Sequence, residues 1–221
     1  MFTATVIDTT SRDFPSALKI DRAGLVCSQI TLIGDSRLLQ NALLGFVCST
    51  RCPGDVILQT YDLARALRDA GVPVIGGFHS PMEKECLDLL LRGRQPVVVC
   101  PAREIARMRI PTAWRPAVEE GRLLIASPFS APQSRPTADL AIQRNRFVAV
   151  LATEMFVSHA EPGSKTDDFC GWCLAHQIPQ LTLTRVRHPT ERIEGVEPIS
   201  ISDLISRIAR AKTSGASSGS K

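Results

Sequence analysis

Val74-Ile-Gly-Gly-Phe-His-Ser-Pro-Met-Glu-Lys-Glu-Cys86 decides the fold. A β-branched run stops at Gly76-Gly77, and Ser80-Pro81-Met82-Glu83 opens a helix three residues later. Ser80 is a good cap, proline suits the first helical turn, and Glu83 completes a capping box. The glycines permit a sharp turn and bring backbone N–H groups close to whatever lies outside it. A strand, a glycine turn and a helix start together make an anion site, because unpaired N–H groups and the helix dipole both favour negative charge. The same residues are equally compatible with an ordinary βα connection.

Outward from this unit the chain alternates strands and helices. Strands are expected over residues 29–33, 44–49, 72–75, 96–100, 122–126, 155–158 and 180–183. Helices are expected over 36–42, 55–70, 81–91, 102–108, 112–120, 137–151 and 164–176, with a weaker one over 201–211. Gly71 and Gly93 stop two of the helices. Strands that are apolar throughout, each followed by a helix, predict an α/β Rossmann-like three-layer sandwich with a mostly parallel sheet. Residues 1–28 read as a lead-in, 29–190 as the Rossmann-like domain, 191–212 as a C-terminal helix and 213–221 as a disordered Ser/Gly tail.

At 221 residues the chain suits one domain. It has no apolar run long enough for a membrane span and no signal-peptide pattern at its start, so a cytoplasmic protein is expected. Net charge is +4, too small to announce a nucleic-acid protein by itself. Of the 26 basic residues 21 are Arg, the side chain that binds phosphate bidentately and stacks on bases. A GC-rich genome produces the same bias. Among the seven cysteines, Cys48, Cys52, Cys170 and Cys173 could in principle meet at a metal. Small buried thiols are the plainer reading, and no metal or cofactor is expected.

In parallel sheets ligands bind outside the carboxyl ends of the strands. Three loops there carry chemistry: 49–55, 76–81 and 159–166. The last, Ser158-His-Ala-Glu-Pro-Gly-Ser-Lys-Thr-Asp-Asp168, repeats the glycine turn. Gly163, Ser164, Lys165 and Thr166 could wrap an oxyanion with amides, hydroxyls and an ammonium, although this is not a Walker A loop. Arg144-Asn145-Arg146 lies between the two turns, its arginines on different sides of one helix. Cys48, Ser49 and Ser164 have His79 and His159 as candidate partners. No nucleophile elbow frames a serine, and no acid–base pair is singled out, so no catalytic residue is assigned.

These elements, in this order, resemble the Rossmann-like core of the DNA-processing protein A family (DprA, also called Smf), within the SLOG superfamily. Ile33-Gly34-Asp35 with Leu38-Leu39 is similar to the family's Gly-Asn…Leu-Leu lead-in, and Val47-Cys48-Ser49-Thr50-Arg51 to its Val-Gly-Ser/Thr-Arg strand end. Gly76-Gly77-Phe78-His79 stands at its glycine turn. Ser127-Pro128-Phe129, Arg144-Asn145-Arg146 and Gly163-Ser164 with Thr166 are similar to its Ser-Glu-x-Pro, Arg-Asn-Arg and Gly-Ser-x-x-Thr elements. The likeness covers roughly residues 29–184. Phe78-His79-Ser80-Pro81 departs from the family's Gly-Ile-Asp turn, and a short form without a winged-helix domain is expected.

The resemblance implies a protein that binds single-stranded DNA at the strand ends and passes it to a RecA-type recombinase in DNA-mediated transformation. Gly76, Gly77, Gly163, Ser164, Lys165 and Thr166 would contact phosphate. Arg51, Arg144 and Arg146 would supply charge, His79 and Ser80 polar contacts, and Phe78 or Phe129 either a stacking surface or core. A homodimer is common in such folds. Two other readings stay open. One is a sensor of a small nucleotide. The other is a nucleotide phosphoribohydrolase similar to the cytokinin-activating "lonely guy" enzymes, whose Pro-Gly-Gly-x-Gly-Thr-x-x-Glu motif would fall on Pro162–Asp168.

Overall fold

The computed structural model describes residues 2–20, 25, 27–130, 133, 135–184 and 193–216, with side chains as far as Arg210. Nine strands among these residues make one sheet. They are β1 (Thr5–Asp8), β2 (Gln29–Ile33), β3 (Leu44–Val47), β4 (Val74–Gly76), β5 (Val97–Val99), β6 (Leu123–Ser127), β7 (Glu154–Val157), β8 (Gln180–Leu183) and β9 (Glu197–Ile199). Their spatial order is β1-β2-β6-β5-β4-β3-β7-β8-β9. The run from β6 to β9 is parallel throughout. β2 joins it antiparallel to β6, and β1 is antiparallel to β2. The α/β, mostly parallel architecture expected from the alternation is therefore present.

Side-chain alternation explains why the strands read as apolar without interruption. Val74, Val97, Val99, Leu123, Phe46 and Phe156 face one side of the sheet. Their neighbours Ile75, Val98, Leu124, Val47, Met155 and Val157 face the other. The first side is covered by α1 (Gly54–Asp69), α2 (Pro81–Leu90), α3 (Arg115–Glu119) and α6 (Ile201–Ala216). The second is covered by α4 (Ala138–Leu151) and α5 (Lys165–Ala175). Phe46, Phe147 and Phe156 are wholly buried, and truncating any of them to alanine removes about 3–5 kcal/mol of packing.

Three segments differ from the expectation. The lead-in supplies β1 at one edge of the sheet, and the C-terminal region supplies β9 at the other. The helix expected over 102–108 is absent. Its backbone is engaged elsewhere: the Arg103 carbonyl accepts from the Ser127 hydroxyl (2.7 Å) and Glu104 N–H donates to the Gln133 carbonyl (2.8 Å). Ile105 is fully buried, so tertiary contacts override helix propensity there. α6 continues to Ala216, across 213–216 of the expected tail, because Ala209-Arg-Ala-Lys212 favours helix. Residues 217–221 lie outside the described residues. No helix of the described residues is long and apolar enough to cross a membrane.

Candidate functional site

From β3 the chain steps in one direction through β4, β5 and β6, then returns to the other side of β3 as β7 and β8. The switch point is at the carboxyl ends of β3 and β7, where such sheets bind ligands. The two loops there are joined. Ser49 N–H donates to the His159 carbonyl (2.9 Å), and Glu161 N–H donates to the Ser49 hydroxyl (3.0 Å). The Ser49 and Ser164 hydroxyls are 3.2 Å apart.

The capping box predicted at Ser80 is formed: Glu83 N–H donates to the Ser80 hydroxyl (3.3 Å) and Ser80 N–H to the Glu83 carboxylate (3.3 Å). That carboxylate also accepts from His79 N–H (2.6 Å) and, across the switch point, from Cys48 N–H (2.9 Å). The open anion site expected at this turn is thus filled by the protein's own Glu83. Gly76 ends β4, with its carbonyl accepting from Cys100 N–H (2.8 Å). Ser80 is buried as a cap. Phe78 adopts a left-handed φ of 46°, which strains a large side chain by about 1–2 kcal/mol. Its buried ring stacks on Phe46 with centroids 6.4 Å apart. Phe129 is also core.

The echo turn is likewise self-satisfied. Gly163, at φ 72°, donates its N–H to Asp167 (2.9 Å), and Ser164 N–H donates to the Glu161 carbonyl (2.9 Å). The Ser164 hydroxyl caps α5 by accepting from Asp167 N–H (3.2 Å). The Gly163 and Ser164 amides expected to wrap an oxyanion are used within the turn, and Lys165 stands beside it at the start of α5.

The strand ends open instead onto a cleft of about 690 Å³. Gly77, His79, Arg144 and Lys165 line it, together with Lys84, Arg103 and Trp114, which sequence reasoning missed. Among the described residues its lining has four Lys or Arg side chains and no carboxylate. Arg144 is the built member. It is 5% exposed, its Nη1 donates to the Cys100 carbonyl (3.1 Å) and its Nε to Asn145 Oδ1 (2.8 Å). Burial pushes the guanidinium down from its ordinary value, and the charge of Glu83 pushes it back up. A Cβ on Gly77 would collide with this guanidinium, so glycine is required there by close approach. Thr137 and Ala138, at the start of α4, and Lys165, at the start of α5, add helix N-termini to the wall.

Other expected residues stand apart from the cleft. Arg51 is exposed in the loop after β3, and Thr166 is not among the lining residues. Arg146 lies over the Trp172 ring, 5.2 Å from its centroid, in a small groove between α4 and α5. The cysteines do not gather: among the described residues no three His, Cys, Asp or Glu side chains converge as for a metal. The Cys48 thiol is pushed up by its contact with Cys52 and by burial, the opposite of an activated nucleophile.

No protein-family model matches the chain, and no curated protein matches it. Solved structures do. DNA processing protein A from Streptococcus pneumoniae superposes with a TM-score of 0.73 at 14% identity, over 91% of this chain and 73% of that one. DNA processing protein A from Helicobacter pylori, studied for its single-stranded DNA binding mode, gives 0.69 at 16% identity, over 95% and 97%. The molybdenum cofactor binding protein from Rippkaea orientalis gives 0.51 at 11% identity, over 77% and 97%. At such identities the likeness is one of fold, and the fold is the DprA one.

Proposed function

We propose that this protein binds single-stranded DNA in the cleft at the carboxyl edge of its sheet. The observation that carries the proposal is the cleft's composition: Lys84, Arg103, Arg144 and Lys165 with no carboxylate among the described lining residues. In a chain with 22 acidic residues such a lining concentrates one sign of field where a polyanion can enter. Trp114 and Pro111 in the same wall offer apolar surface to unstacked bases. The DprA of Helicobacter pylori, which shares the fold, has a single-stranded DNA binding mode. A role in DNA-mediated transformation, with transfer of the strand to a RecA-type recombinase, is the cellular setting implied.

Binding of a labelled oligothymidine followed against salt tests this. Neutralising four cations' worth of phosphate predicts a log–log slope of about −3 for a single strand. An affinity indifferent to salt overturns the proposal, as does a melting temperature raised by AMP or NAD in a protein that binds no oligonucleotide. The phosphoribohydrolase reading lacks a carboxylate among the described residues that line the cleft. Asp167 accepts from Gly163 N–H, and Asp168 lies in the α4–α5 groove.

A further inference from the structure

Next to the main cleft lies a second one of about 530 Å³, lined by Phe2, Arg107, Met108, Arg109, Arg115 and Glu119 among others. Met108 lines both, so the two adjoin at this side chain. The connection between β5 and β6 builds this second cleft. Ile105 and Ile110 are buried together against Ile33 and Ile125, and between those two pins Arg107 and Arg109 are exposed. Arg115 opens α3 alongside them.

These arginines differ from others on the surface. Arg37, Arg65, Arg68, Arg122 and Arg207 each pair with a carboxylate at 2.5–3.1 Å. The side chains of Arg107, Arg109 and Arg115 make no hydrogen bond or ion pair with any described residue, although Glu119 lines the same cleft. Three like charges held side by side repel one another. Guanidinium groups left with all their donors facing water match the phosphates of a backbone.

We infer that the second cleft continues the nucleic-acid track: a strand leaving the main cleft crosses Met108 and lays its next phosphates on Arg107, Arg109 and Arg115. This inference rests on the single-stranded DNA reading and adds that the ligand is a polymer longer than the main cleft holds. A mononucleotide or short oligomer would not reach these side chains.

The test compares oligothymidines of about six and about 24 nucleotides on the native chain and on R107A/R109A/R115A, with melting temperatures checking the fold. The native chain is expected to bind the longer strand more tightly. The triple variant should bind the short strand as the native chain does, bind the long one roughly tenfold or more weakly, and lose about 2 from the long strand's salt slope. The charge-preserving R107K/R109K/R115K should recover most of that loss. Native affinity and slope for the long strand in the alanine variant overturn the continuation while leaving the main-cleft proposal standing. An equal loss on both strands also overturns it, because the arginines would then serve the main cleft. A native chain that binds neither strand removes both proposals.

Discussion

Arg144 carries its charge at 5% exposure, fixed by the Cys100 carbonyl, by Asn145 and by the flat backbone of Gly77. A guanidinium taken this far out of water is costly unless its donors are met, so its surroundings admit little change. Gly77→Ala adds one methyl group where the guanidinium lies. It is expected to push Arg144 off the Cys100 carbonyl, costing about 1.5–3 kcal/mol for a charged hydrogen bond, and to weaken oligonucleotide binding at the same time. Denaturant midpoints and anisotropy on the same variant check both effects; an unchanged midpoint would show that Arg144 has room to move. Arg144 and Gly77 were legible as a pair of motifs, an Arg-Asn-Arg and a glycine turn. Their contact was not, because it joins residues on α4 and the β4 turn that are far apart in the chain. Lys84, Arg103 and Trp114 carry no motif at all. Arg103 and Trp114 face the cleft because the irregular β5–β6 connection runs over its rim, and Lys84 because it stands in the first turns of α2.

Among the elements, the turn between β4 and α2 has the most specific design. Its Glu83 carboxylate takes N–H groups from His79, Ser80 and Cys48, and so latches the end of β3 to the start of α2. Glu83→Ala leaves these donors without their acceptor, a loss of about 3 kcal/mol. It also vacates an anion site, so inorganic phosphate should raise the melting temperature of the variant more than that of the native chain. Equal shifts in both would mean that the turn collapses when the carboxylate is gone. The capping box at Ser80 was readable from residue spacing alone. The choice between an external anion and an internal one was not, since it depends on how close β3 approaches. Edge strands escaped for a similar reason: β1 and β9 bury one residue each and expose others. They lack the unbroken apolar run that marks the central strands, and Pro198 within β9 argues further against a strand.

At the scale of the whole molecule, six of the seven cysteines are buried and Cys52 is half-buried. Burial pushes the thiols of Cys100, Cys170 and Cys173 up to about 12 and raises Cys27 and Cys86 as well. Thiolates react and thiols do not. A colorimetric thiol reagent at neutral pH is therefore expected to find at most one fast cysteine in the native protein, Cys52, and all seven in denaturant. Several fast thiols in the folded chain would mean that the layers open readily.

The pairing of β2 with β6 sets a schedule for making the protein. Ile30 and Leu32 are buried in the finished sheet, yet Leu32 lies opposite Ala126, which is synthesised roughly 90 residues later. At a ribosomal speed of about 5–20 residues per second, β2 waits roughly 5–20 s for its neighbour. During that interval an apolar strand is available to a chaperone or to another nascent chain. The N-terminal hairpin is therefore made early and seated late.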